Sequence, residues 1–181
     1  MKPARFLTDR EIYETVILGE IPKAERFVWI ATADIKDLYV ARGRKMVPFL
    51  ETLSGLVDRA VAVRLIHAKE PGPAFRRDFD RYPNLIRGME RILCPRVHFK
   101  SVVVDGRFAF TGSANLTGAG MGAKSDGRRN FEAGIVTADP ALIEQIMAQF
   151  DAVWIGAHCA ACRRKKFCAD YRDMLNPTGE G

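Results

Sequence analysis

Apolar positions along the chain fall into short continuous runs separated by stretches with helical spacing. Residues 26–33, with Phe27, Val28, Trp29 and Ile30, are too continuously apolar for a half-exposed strand and predict a buried one. Residues 47–59 carry Leu50, Leu53, Leu56 and Val57 at helical spacing, and residues 61–66 are again strand-like. A helix between two buried strands is the βαβ pattern, so the two strands are expected to be parallel neighbours joined by a right-handed crossover. Upstream, Thr8 followed by Glu11 reads as a capping box opening a first helix with Ile12, Val16 and Ile17 on its apolar face.

Residues 34–45 have no clear period and, with Arg42, Arg44 and Lys45 clustered around Gly43, read as a solvated connection in preference to a phosphate-contacting one. Glu70-Pro71-Gly72-Pro73 breaks the chain. Residues 75–93 are expected to be helical apart from an interruption at Tyr82-Pro83, with Arg76, Arg77, Arg81, Arg87 and Arg91 forming a solvated face in preference to a nucleic-acid contact. His67, at a strand end, reads as structural or exposed. Phe131 to Thr137 predicts a late strand. Asp139 caps a helix with Pro140 at its first position, and Leu142, Ile143, Ile146, Met147, Phe150 and Trp154 form its core stripe.

The central stretch permits a geometric reading. Two valine-rich or strand-like runs, 97–104 and 107–111, leave only Asp105-Gly106 between them, which favours a two-residue type I′ turn. That turn would pair Val104 with Arg107, Lys100 with Thr111 and His98 with Ser113. His98, Lys100 and Ser113 would then share one face, with Asn115 just beyond. Asp105 would lie at the far end, roughly 23 Å from His98 at ~3.3 Å per residue, which leaves turn chemistry as its simplest role.

Bulk properties set limits. A chain of 181 residues is expected to form one domain with a tail. Its net charge of +6 and pI near 9.3 allow an anionic partner but argue only weakly for one. No run of eighteen apolar residues and no signal-like amino end is seen, so a cytoplasmic protein without a transmembrane segment is expected. The loop Thr117-Gly118-Ala119-Gly120-Met121-Gly122, followed by Lys124, Arg128 and Arg129, could approach a phosphate through its backbone or could be a plain flexible turn. In the tail, Cys159, Cys162 and Cys168 have metal-ligand spacing, with Cys94 or His158 as the fourth ligand and Arg163-Arg164-Lys165-Lys166 between. If Cys94 is a ligand, the tail must fold back towards His98. Structural zinc is expected first. The spacing also resembles that holding a [4Fe-4S] cluster in some DNA-processing nucleases.

His98-x-Lys100-x4-Asp105-x6-Gly112-Ser113-x-Asn115 resembles the HKD signature of the phospholipase D superfamily. Chance would give six such fixed residues on the order of 10⁻⁸ times per starting position. The resemblance implies an α/β fold, a mixed sheet flanked by helices with one HKD motif per chain, over residues 22–156. Residues 1–21 would be an amino-terminal helical extension and 157–181 a cysteine-rich basic tail. It further implies a phosphodiesterase whose site is built from two motifs. With one motif and no internal repeat, this chain would need a homodimer, as in the small bacterial endonucleases and Zucchini-type members. One His98 would form a phosphohistidine while the other protonates the leaving oxygen, and Lys100, Ser113 and Asn115 would hold the phosphoryl oxygens. Glu132 matches the acidic residue that orients the histidine in family members, and Asp105 and Gly112 complete the motif structurally. No cofactor is implied for catalysis.

Substrate follows less directly. A nuclease acting on DNA or RNA is favoured by the basic balance, by Lys124, Arg128 and Arg129, and by the basic tail. A phospholipid phosphodiesterase would want an interface-seeking apolar surface, and no amphipathic anchor is evident. A non-catalytic nucleic-acid-binding module is the third reading, against which the intact His98, Lys100 and Ser113 speak.

Overall fold

The computed structural model describes residues 4–170. Its chain order begins with β1 (Arg5–Thr8), then α1 (Arg10–Ile12), which runs on as a π-helix over Tyr13–Glu20 and a 3₁₀ turn at Ile21–Lys23. Next come β2 (Phe27–Thr32), β3 (Tyr39–Arg42), β4 (Lys45–Pro48), α2 (Phe49–Asp58) and β5 (Ala62–His67). The second half contains α3 (Pro73–Phe79), α4 (Pro83–Gly88), β6 (Met89–Leu93), β7 (Lys100–Val104), β8 (Phe108–Gly112), β9 (Ala133–Thr137) and α5 (Pro140–Trp154).

Seven strands form one mixed sheet in the order β1-β9-β8-β7-β2-β5-β6. The expected βαβ unit is present: β2 and β5 are parallel neighbours with α2 between them in sequence. Side chains alternate between the two faces of each central strand, as the two-residue period of a strand requires. Val28, Ile30, Val63, Leu65, Val102, Val104 and Phe110 pack into the larger core with the amino-terminal helix, α2, Phe75 and Leu85. Ala31, Ile66, Val103 and Ala109 face the other way, onto α5. The sheet is thus buried on both sides, which explains why its strands read as continuous apolar runs rather than alternating ones.

Asp139 caps α5 by accepting from the Ala141 amide at 2.9 Å. Ile143, Phe150 and Trp154 are buried along it, with Ile146 and Met147 packed beside them. Leu142, expected in the stripe, is exposed instead.

In three further stretches the fold differs from the local pattern. Residues 89–93 are not the end of a helix but β6, which pairs parallel with β5; α4 stops at Gly88, where Val57 leaves no room for a side chain. The supposed solvated connection holds the β3–β4 hairpin, turned at Gly43 with φ 61°. Residues 5–8 are a sheet strand, β1, paired antiparallel with β9. The helix that follows packs on the main core, where Ile12, Val16 and Ile17 are fully buried. Its amino end keeps half of the anticipated capping box, the Thr8 amide donating to Glu11 at 3.0 Å.

The central hairpin is shifted by one residue. Val104 pairs with Phe108 and Lys100 with Gly112, around a three-residue turn at Asp105, Gly106 and Arg107. Asp105 and Gly106 both have positive φ (54° and 67°), as a type I′ pair requires, and the Arg107 amide closes the turn on the Val104 carbonyl at 3.0 Å. Arg107 is nevertheless left out of the ladder. The turn is dictated by more than local propensity: the Asp105 carboxylate accepts from the amides of Glu25, Arg26 and Phe27 at 3.0, 2.8 and 2.9 Å, which stitches the hairpin to the start of β2.

Candidate active site

The carboxyl ends of β2, β5, β6 and β8 and the amino ends of β7 and β9 lie along one edge of the sheet. Ligand and catalytic sites of open α/β sheets gather at such an edge. His98 and Lys100, Ser113 and Asn115, and Glu132 are all carried there, while Asp105 sits at the opposite end, as the spacing implied.

His98 is exposed in the segment just before β7, and Lys100 is buried at its first position. The Lys100 ammonium lies 3.4 Å from His98 Nδ1 and donates to the His98 carbonyl at 2.5 Å. A lysine this buried, fixed by the carbonyl of its own histidine, has its charge placed beside the imidazole rather than in water.

Ser113 does not stand opposite His98, because the one-residue shift of the hairpin changes its register. Its hydroxyl instead donates to Glu132 Oε2 and lies 3.3 Å from the Ala133 carbonyl, while accepting from the Ala133 amide at 3.1 Å. Glu132 Oε1 also accepts from Asn130 Nδ2 at 3.1 Å. No hydrogen bond joins Glu132 to His98 among the described residues, so within one chain the carboxylate orients the serine and not the histidine. Gly112 is required where β8 meets β9: a Cβ there would stand 2.5 Å from the Ala133 carbonyl oxygen.

Asn115 turns its oxygen inward. Oδ1 accepts from the amides of Ala33 and Asp34 at 3.2 and 3.0 Å and lies 3.3 Å from Thr32 Oγ1. It clasps the loop after β2, and the end of the side chain remaining to donate is its amide nitrogen.

The glycine-containing loop is not an open phosphate cradle. The amides of Gly118 and of Gly120 through Lys124 are already bonded, to Asp37, Thr117, Ala119 or Gly118. Backbone approach to a phosphate is thereby largely closed off. Of the three basic residues beyond it, Arg129 pairs with Asp126 at 2.8 Å and Arg128 is 3.3 Å from Ser125 Oγ. Lys124 and Arg128 are exposed and Arg129 is partly covered.

Two contributors carried no signal in the sequence. Asp9 and Glu132 exchange hydrogen bonds, the Glu132 amide donating to Asp9 Oδ1 at 2.8 Å and the Asp9 amide to the Glu132 carbonyl at 2.9 Å. Asp9 thus fixes the backbone that presents Glu132, through the β1–β9 pairing that no local pattern announced. Thr32 accepts from the Leu116 amide at 2.9 Å and donates to the Asp34 carbonyl at 2.7 Å, tying the Asn115 loop to β2.

His67 is buried, with Nδ1 at 2.6 Å from the Lys69 carbonyl. Burial depresses its pKa more than that bond raises it. It belongs to the scaffold. Asp105 is the other strongly placed titrating group: burial would raise its pKa, but the three backbone donors and Arg107 outweigh this and hold it below the ordinary carboxylate value.

The tail cysteines are all free thiols, and Cys94, His158, Cys159, Cys162 and Cys168 line a common cavity beside the His98 segment. Among the described residues no three Cys, His, Asp or Glu side chains are gathered so as to hold a metal ion. Residues 171–181 of the expected tail lie outside the described residues. No described helix is long and apolar enough to cross a membrane.

Residues 17–154 match the family described as "Cardiolipin synthase, PLD-like domain". No curated protein matches the chain. Among solved structures, NucT from Helicobacter pylori superposes with a TM-score of 0.62 at 17% identity, covering 83% of this chain and 94% of that one. Nuc from Salmonella typhimurium, a phospholipase D family member, gives 0.62 at 18% identity over 85% and 95%. The archaeal chromatin protein TrmBL2, whose structure is described as a novel mode of DNA binding, gives 0.57 at 13% identity over 85% and 52%. At these identities the likeness is one of fold.

Proposed function

Since the chain belongs to the phospholipase D-like family, we propose that it is a nuclease, cleaving DNA or RNA phosphodiesters through a phosphohistidine at a site completed by a second copy of itself. The observation that carries this reading is the exposed His98 with the buried Lys100 ammonium against its Nδ1. A lysine donates and cannot accept, so a neutral ring in this contact carries its proton on Nε2. Protonating a leaving oxygen calls instead for the imidazolium, since a neutral ring would have to become imidazolate to give up its Nε2 proton. The attacking histidine needs Nε2 bare, and the two roles therefore fall to two rings in different states, one from each subunit.

In the first step Nε2 of one His98 bonds to phosphorus, the bond to the leaving oxygen breaks, and the partner's His98 delivers its Nε2 proton to that oxygen. In the second, water attacks phosphorus, its proton passes to the same partner ring, and the P–N bond breaks. Lys100 and the Asn115 amide would donate to the phosphoryl oxygens as charge develops there, and the Ser113 hydroxyl, whose single proton goes to Glu132 here, would join them by turning from that carboxylate to the phosphate. Lys124 and Arg128 would meet flanking phosphates through their side chains. Phe131, 95% exposed and next to Glu132, offers a ring on which a base can stack.

A phospholipid phosphodiesterase is the second reading, favoured by the description of the matching family. Labelled single-stranded DNA, duplex DNA, RNA and cardiolipin vesicles, incubated without added divalent metal beside His98→Ala, separate the two. The proposal expects nucleic-acid cleavage that the substitution abolishes. Cleavage of cardiolipin alone would replace it with the lipid reading, and cleavage undiminished in the variant would overturn the phosphohistidine.

A further inference from the structure

Four thiols from two distant parts of the chain face one space. Cys94 follows β6 directly, and Cys159, Cys162 and Cys168 come from the segment after α5. They line a cavity of about 300 Å³ together with His158, Val97, Phe99 and the last turns of α5. The tail is docked there by its own contacts: Asp170 accepts from the Leu93 amide at 2.6 Å, Arg164 reaches the Pro95 carbonyl at 3.3 Å, and Cys168 Sγ lies 3.4 Å from the Leu93 carbonyl. Cys159 and Cys162 sit on a tight turn closed by the Cys162 amide on the Cys159 carbonyl at 3.0 Å. The Arg164 amide then points at Cys162 Sγ at 3.4 Å. An amide aimed at a sulfur in this way is the outer-shell contact that orients and tunes a metal-bound thiolate.

Size decides what such a set can hold. Zinc bound to four thiolates at about 2.3 Å would draw the sulfurs to within about 4 Å of one another. No three donors are gathered so as to hold an ion among the described residues. The cavity meanwhile far exceeds the about 10–15 Å³ that a single water requires. An all-sulfur donor set, spread around a space of many atoms and flanked by Arg96 and Arg164, suits a polynuclear, anionic occupant.

We propose that Cys94, Cys159, Cys162 and Cys168 ligate a [4Fe-4S] cluster, with His158 on the cavity wall but not a ligand. Binding replaces the four thiol protons with iron. Because Cys94 lies four residues before His98, and Val97 and Phe99 flank it, the cluster would fasten the tail to the segment that presents the histidine.

The test is metal and sulfide content of the full chain purified without oxygen, with visible absorption and electron paramagnetic resonance before and after dithionite. Wild type is expected to carry about four iron and about four acid-labile sulfides per chain, directly or after reconstitution with sulfide and equal amounts of ferrous and ferric iron. Cys94→Ser is expected to lose most of both. Because that change can also loosen the tail, His158→Ala is the paired variant and is expected to keep the full complement. One zinc per chain without sulfide, failure of reconstitution, loss of iron in His158→Ala, or full iron in Cys94→Ser would each overturn the assignment. None of these readings depends on what the protein cleaves.

Discussion

Lys100 and His98 are bound to each other twice, the ammonium lying 3.4 Å from the imidazole Nδ1 and donating to the same residue's carbonyl at 2.5 Å. The second contact fixes the backbone bearing the ring, and the first fixes the charge beside it. Lys100→Met keeps the stem and removes both. Cleavage is expected to fall by roughly 10²–10³-fold, the scale of losing one preorganised donor, with the thermal transition little changed. A variant as active as wild type in single-turnover assays would remove Lys100 from the phosphoryl contacts.

Ser113 and Glu132 act as a unit. Ser113→Ala and Glu132→Ala are each expected to lower the rate, and the double variant to lower it by less than the two combined, with a coupling of about 0.5–3 kcal/mol. Strict additivity of the two effects in single-turnover rates would show that the serine does not work through the carboxylate.

Asn115 holds the loop after β2 by its oxygen. Asn115→Ala leaves the Ala33 and Asp34 amides without their acceptor, and a loss of about 1–3 kcal/mol is expected in urea unfolding. Asn115→Asp keeps an acceptor and is expected to recover most of the stability, but not the activity, since it lacks the donating nitrogen. Equal stability of all three chains would refute the clasp.

Asp105 gives a pH signature. Its folded pKa is depressed, so the stability it confers is complete above the unfolded value, roughly pH 4, and is lost as pH falls through the lower folded value. Thermal unfolding followed from neutral pH downward is expected to lose more in wild type than in Asp105→Asn. At neutral pH the variant is less stable yet retains catalysis where folded, because the residue lies across the sheet from His98.

A shared site predicts a two-fold particle. Light scattering is expected to give about twice the 20.2 kDa chain mass, and heterodimers with one His98→Ala subunit are expected to be inactive, since both rings serve one phosphorus. A monomer that cleaves nucleic acid would end the two-subunit mechanism.

Much of this was legible along the chain, and the misses have physical causes. The buried strands β2 and β5 and the capped α5 announced themselves because length, apolar continuity and the Asp139-Pro140 start are local properties. The strands β1 and β6 did not, since a four- or five-residue edge strand has little period of its own and exists by pairing with β9 or β5. The hairpin is evident from Asp105-Gly106 and its flanking runs, but its register sits one residue away from the local pattern, where Asp105 answers to three amides leading into β2 and not to its turn alone. That slip is why Ser113 was expected opposite His98 and is found with Glu132. The motif identified His98, Lys100, Ser113 and Asn115, while Asp9 and Thr32, which position their neighbours, required the tertiary pairing to become visible.

The docking of Asp170 on Leu93 bears on more than the tail. β6 lies at one edge of the sheet, and among the described residues its outward amides and carbonyls have no neighbouring strand to bond. Such a border is an open template on which a strand from another molecule can crystallise into a growing ribbon. The returning chain occupies the Leu93 amide and lies against its carbonyl, so at this end of β6 the segment after α5 acts as a selvage over groups that another strand could otherwise engage.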